Sequence, residues 1–164
     1  MKKLFTIIVC KVLKFVGGLL GKGSSLPGQI ALKLCPDILG RIELPKYIVA
    51  VTGSNGKTST VEMIAHILCE SGKKVAWNKE GSNQIEGVTT LILGSCTLSG
   101  KVKSDILLIE SDERFAKYTF KYITPTHYVI TNLYRDQLTR NGHPEWVYNC
   151  LLYTSPSPRD TERS

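Results

Sequence analysis

One nine-residue segment constrains this chain more than any other: Val51-Thr52-Gly53-Ser54-Asn55-Gly56-Lys57-Thr58-Ser59. It follows residues 47–51 (YIVAV), a short β-branched run of the kind buried on both faces of a parallel sheet. It opens residues 57–71, where Val61, Ile64, Ala65 and Leu68 recur at helical spacing and Gly72 supplies a stop. A glycine-rich turn from strand to helix gathers main-chain N–H groups and a helix N-terminus around one point, which attracts phosphate. Gly53 and Gly56 let the backbone turn and approach closely, while Ser54, Asn55 and Ser59 complete the cradle. Lys57 reaches the β- and γ-phosphates as a mobile point charge, and the Thr58 hydroxyl is placed to ligate Mg²⁺. The pattern is G-x-x-G-K-T, shorter than G-x-x-x-x-G-K-[ST] because Val stands at position 51. Nucleotide binding is the expectation.

The rest of the chain fits an α/β fold. Residues 74–77 (KVAW), 106–109 (ILLI) and 127–131 (HYVIT) read as further buried strands. Residues 87–93 (GVTTLIL) have strand propensity, but their place between two strands asks for a crossover helix, which is the assignment preferred. A short helix is expected over 113–120. Strands alternating with helices give a parallel sheet with flanking helices and right-handed crossovers.

Two acidic positions stand just past strand ends, at the edge of the sheet that carries the loop. In Ile109-Glu110-Ser111-Asp112-Glu113, Glu110 is the expected Mg²⁺ ligand, and Asp112 and Glu113 can instead cap the next helix. In Thr131-Asn132-Leu133-Tyr134-Arg135-Asp136, Asn132 and Asp136 are the candidate catalytic residues beside Lys57. Asn83, in the loop Glu80-Gly81-Ser82-Asn83, is the candidate substrate contact.

Charge is distributed unevenly. The formal net charge is +7, yet residues 1–46 hold eight basic and two acidic residues, leaving +1 for all that follows. A nucleic-acid module spreads its basic residues over a folded face, so no nucleic-acid partner is expected. The basic stretch begins with an apolar segment, residues 4–20, interrupted by Lys11 and Lys14, whose longest uncharged run is too short for a spanning helix. Two readings lead, an amphipathic helix at an anionic membrane surface and a helix docked on the domain's own core, with a signal or anchor segment as the third. Five cysteines, no two closer than 25 residues, form no C-x-x-C pair and read as reduced, buried thiols of a cytoplasmic protein. His66 falls in a helical apolar pattern and reads as structural. Residues 151–164 (LLYTSPSPRDTERS) are Ser/Pro-rich and aperiodic, and are expected to be disordered or artefactual. The chain therefore divides into a basic apolar helical lead-in (1–46), an ATP-binding domain (47–150) and the tail.

The motifs together resemble the Mur ligase family. TGSNGKTST resembles its ATP-binding signature T-G-[ST]-N-G-K-T-[ST], ESDE its Mg²⁺-binding strand end, and TNLYRDQL its N-x-x-x-D-H-x-D motif, with Gln137 and Thr139 in place of His and Asp. Folylpolyglutamate synthases are similar but carry Gly where this chain has Thr58. Only 52 residues precede Gly53, too few for the UDP-binding domain most Mur ligases place there. This lead-in, with GSSLPGQIALKL, EGSNQIEGVTT and NLYRDQL, resembles the branch of the family that amidates lipid II. The resemblance implies a truncated, P-loop NTPase-like Mur ligase central domain behind an N-terminal amphipathic helix. It implies ATP and Mg²⁺ as cofactors, with a zinc ribbon only in a downstream region. It implies activation of the D-glutamate α-carboxyl of lipid II for amidation by glutamine-derived ammonia. The implied partners are a glutaminase subunit of GatD type and lipid II, at the inner face of the plasma membrane. A chain of this length is expected to be inactive alone. Another amino-acid ligase of the superfamily, or a non-catalytic nucleotide-binding fragment, stays open as an alternative.

Overall fold

A computed structural model describes residues 2–19, 25–78, 82–112 and 119–132. Its elements are helix α1 (Lys2–Leu19), helix α2 (Leu26–Leu34), a 3₁₀ turn (Ile38–Arg41), strand β1 (Tyr47–Thr52), helix α3 (Lys57–Glu70), strand β2 (Val75–Trp77), helix α4 (Ile85–Ser95), strand β3 (Ile106–Glu110) and strand β4 (His127–Ile130). The expected helix over 113–120 lies almost wholly outside the described residues. Asp136, His143, Trp146, Cys150 and the tail also lie outside them.

The four strands form one parallel sheet in the order β2-β3-β1-β4. Strand β3 is buried at every position because helices cover both faces, which is why its sequence reads as a continuous apolar run. Its side chains alternate. Leu108 joins Val51 with Val61 and Ala65 of α3 on one face. Leu107 and Ile109 join Ile48, Ala50 and the larger cluster built by α1, α2 and α4 on the other. Residues 87–93 are helical, as their crossover position requires, and every one is buried. A segment buried all round loses the apolar-polar periodicity that would have marked it as a helix.

Helix α2 begins at Leu26, with Pro27 in its first turn, where a missing N–H costs nothing. It crosses α4 closely: a Cβ on Gly28 would sit 1.8 Å from the Glu86 carbonyl oxygen, and the Gly28 N–H donates to Thr90 Oγ1 at 2.8 Å. Helix α1 docks on this layer through Thr6, Ile7, Cys10 and Gly17. No described helix is long and apolar enough to cross a membrane.

Cys10, Cys35 and Cys96 are buried, as expected, whereas Cys69 is exposed near the end of α3. His66 is also exposed, one turn from Glu62 with 3.8 Å between imidazole and carboxylate, and it takes no part in the core. The α3 stripe that packs is narrower than its sequence implies, since Met63 and Ile67 face outward with His66.

Candidate nucleotide-phosphate site

Parallel register places the site's parts side by side. Val51 pairs with Glu110 and Thr52 with Ile130, so the loop after β1 emerges between the ends of β3 and β4. Ligand crevices in open parallel sheets form at this carboxyl edge, where connections leave in opposite directions. Here β1 is followed by a crossover to β2 on one side, while its other neighbour is β4.

The loop's conformation depends on glycine. Gly53 has φ +134°, and a Cβ there would lie 2.3 Å from Thr131 Oγ1 and 2.7 Å from the Asn132 carbonyl oxygen. Gly56 has φ +79° and forms the N-cap of α3, with open space around it. No side chain caps the start of α3, and its first turn carries no acid. No side chain of that first turn offsets the positive end of the helix dipole.

Asn132 holds the loop in place. Its Oδ1 accepts from the Asn55 N–H at 3.0 Å, and its Nδ2 donates to the Asn55 carbonyl at 3.0 Å. Its carbonyl accepts from the Ser54 N–H at 2.9 Å. Thr131 adds a hydroxyl donated to the Asn55 carbonyl at 2.7 Å. The Lys57 ammonium folds back over the loop and donates to the Gly53 carbonyl, with Ser54's carbonyl 3.5 Å away. Asn55, Thr58 and Ser59 are exposed at the open side, where a ligand can reach them.

Glu110 ends β3 almost fully buried, at 2% exposure. Its Oε2 has no hydrogen-bond partner among the described residues, and neither does the buried Thr52 Oγ1 at the end of neighbouring β1. A buried carboxylate oxygen without a donor is costly, and a divalent cation is one group that satisfies it. No cluster of three or more metal-ligating His, Cys, Asp or Glu side chains occurs among the described residues. Mg²⁺ takes one or two carboxylates and keeps its other sites for phosphate and water. Glu110 and the Thr58 hydroxyl are the residues that would hold it.

Asn78 was not singled out in the sequence, where it reads as the first residue of a polar loop. Its Oδ1 accepts from the Glu110 N–H at 2.8 Å, and its Nδ2 donates to the Glu110 carbonyl at 3.1 Å and the Ser82 carbonyl at 3.0 Å. The side chain thus extends the β2–β3 ladder and fixes the main chain that carries the acid. Asn83 lies next to this clamp: its carbonyl accepts from the Asp112 N–H at 3.0 Å, and the residue is half-exposed. Lys57, Asn132, Asn83 and Glu110 thus come to one edge, while Asp136 lies outside the described residues.

A glycine-rich loop at the carboxyl edge of a parallel sheet, beside a buried acid, places the chain among α/β domains with helices flanking a parallel sheet. The Mur ligase middle domain matches residues 51–150, and the chain belongs to the Mur ligase family. It is 41% identical over 138 residues to the lipid II isoglutaminyl synthase (glutamine-hydrolyzing) subunit MurT of Streptococcus pneumoniae, covering 84% of this chain and 30% of that protein. It is 35% identical over 156 residues to MurT of Staphylococcus aureus strain COL, covering 94% of this chain and 35% of that protein. The chain therefore spans about a third of the length of these curated relatives. Among solved structures, MurF of Acinetobacter baumannii shares the fold, with a TM-score of 0.59 at 20% identity over 78% of this chain and 28% of that one.

Proposed function

We propose that residues 47–150 are the ATP-binding part of an amide ligase subunit that activates the D-glutamate α-carboxyl of lipid II, with residues 1–46 as its lead-in. The observation that carries this reading is the juxtaposition of the Gly53–Ser59 loop with a Glu110 carboxylate oxygen that has no partner among the described residues. Support for the acceptor comes from the likeness to two MurT subunits whose names specify lipid II and glutamine hydrolysis.

In this reading the loop amides and Lys57 bind the β- and γ-phosphates and stabilise charge on the transferred group. Asn132 positions the loop, Asp136 joins it at the catalytic edge, and Asn83 contacts the acceptor. Glu110 and the Thr58 hydroxyl would hold Mg²⁺, which would supply positive charge against the charge developing on the transferred phosphoryl group. A carboxylate oxygen of the acceptor attacks the γ-phosphorus and ADP leaves. Ammonia from a glutaminase partner of GatD type then attacks the acyl carbon, phosphate leaves, and an amide remains.

Titration of the chain with a fluorescent ATP analogue and Mg²⁺ tests the core of the reading. Saturable binding that Lys57→Ala abolishes supports it, and equal binding by both overturns it. For the acceptor, a full-length protein is mixed with glutaminase, glutamine and lipid II. ADP release that needs both lipid II and nitrogen donor is expected. Release driven by a free amino acid instead would assign the chain to another ligase of the family.

A further inference from the structure

Helix α1 is apolar on two opposite sides. Thr6, Ile7, Cys10 and Gly17 face the domain. Leu4, Phe5, Ile8, Val12, Phe15, Val16 and Leu19 face away, with Phe15 at 71% and Leu19 at 74% exposure. At ~100° per residue these seven fall within a sector of roughly 120° that contains no polar residue. The two leading readings of the sequence are therefore not exclusive, because one face docks on the core and the other is left outward.

We infer that this outward stripe lies on an anionic lipid bilayer. Charge argues for lipid. The helix carries Lys2, Lys3, Lys11 and Lys14 and no acid, and most of the chain's positive excess lies in its first 46 residues. Lys2 borders the stripe on one side and is exposed, as in helices seated at a headgroup boundary, while Lys11 on the other side is tied to the domain. A second copy would bring two acid-free lysine helices together, which like-charge repulsion opposes. Lys3 packs against Gly100, and Lys11 donates to the Gly94 carbonyl at 3.0 Å, both at the end of the sheet where strands begin.

Co-sedimentation of the full chain with phosphatidylcholine vesicles, with and without phosphatidylglycerol, tests the inference. Binding is expected on the anionic vesicles and should weaken with salt. Val12→Glu with Phe15→Glu, both outward and so compatible with folding, should lower partitioning about a hundredfold from lost apolar contact. Lys2→Gln with Lys14→Gln should lower it about 30-fold on anionic vesicles only. Circular dichroism and ATP-analogue affinity should be unchanged in both variants. The inference fails if the wild type ignores all vesicles or if the glutamate variant binds as well as wild type. It also fails if light scattering shows a dimer that this variant splits. Loss of nucleotide binding with intact vesicle binding would count only against the proposed ligase function.

Discussion

Asn132 meets Asn55 through both ends of its side-chain amide, 3.0 Å from the Asn55 nitrogen and 3.0 Å from its carbonyl oxygen. A residue on the β4 side of the sheet thereby sets the shape of the loop after β1, 77 positions earlier in the chain. Asn132→Ala removes both bonds. At ~1 kcal/mol for each, nucleotide affinity should fall about 30-fold, with a smaller loss of global stability because the contact is exposed. Fluorescent-nucleotide titration alongside urea denaturation separates the two.

Gly53 presents the sharper constraint. Its φ of +134° lies where side chains are disfavoured, and an added Cβ would meet Thr131 and Asn132. Gly53→Ala should cost about 2 kcal/mol or more of stability and displace the loop from Asn132. Gly56→Ala meets no steric neighbour and suffers only the backbone penalty, about 1 kcal/mol. The order of the two variants in thermal denaturation checks this contrast.

Glu110→Gln should act in opposite directions on stability and metal binding. The wild-type carboxylate is buried with one oxygen unpartnered among the described residues. A neutral amide of the same shape removes the charge and should raise metal-free stability by ~1 kcal/mol. Mg²⁺-dependent enhancement of nucleotide affinity should disappear in the same variant. Chemical denaturation in EDTA and nucleotide titration with and without Mg²⁺ measure the pair, and a destabilised variant that keeps the Mg²⁺ effect would count against the assigned role.

The contrast between Glu110 and Asn78 shows how far the sequence could be read. Glu110 is legible because an acid ending an apolar strand is anomalous on local grounds, and Gly53 to Ser59 because strand, glycines and helix follow in order. The helical state of 87–93 was legible only from topology, since burial on every side erases periodicity. Asn78 carries no local signal: its importance arises from register, which brings the end of β2 beside Glu110, 32 residues on. The apolar content of α1 was likewise visible as composition, but which face docks depends on the α2 and α4 layer it packs on. Asn78→Ala should therefore weaken the Mg²⁺ effect several-fold and cost about 1–3 kcal/mol, because Glu110's main chain loses buried partners. Partial rescue of the Mg²⁺ effect by Asn78→Gln would distinguish positioning from simple loss of stability.

Burial pushes the Cys10 thiol up to about 11 from an ordinary value near 9.0, with Lys14 and Lys11 opposing the shift. Cys96 and Cys35 are raised for the same first reason. A raised thiol pKa means that the folded state holds its proton more tightly than the unfolded chain does. The resulting stability is complete below about pH 9 and is lost as pH climbs toward 11, where the folded thiol must also ionise. For Cys10 the full effect is ~2–3 kcal/mol. Cys10→Ala should flatten the alkaline slope of stability measured by urea denaturation between pH 8 and 11. In the native protein at neutral pH, Cys69 should react with a thiol reagent promptly, while Cys10, Cys35 and Cys96 react only after denaturant is added.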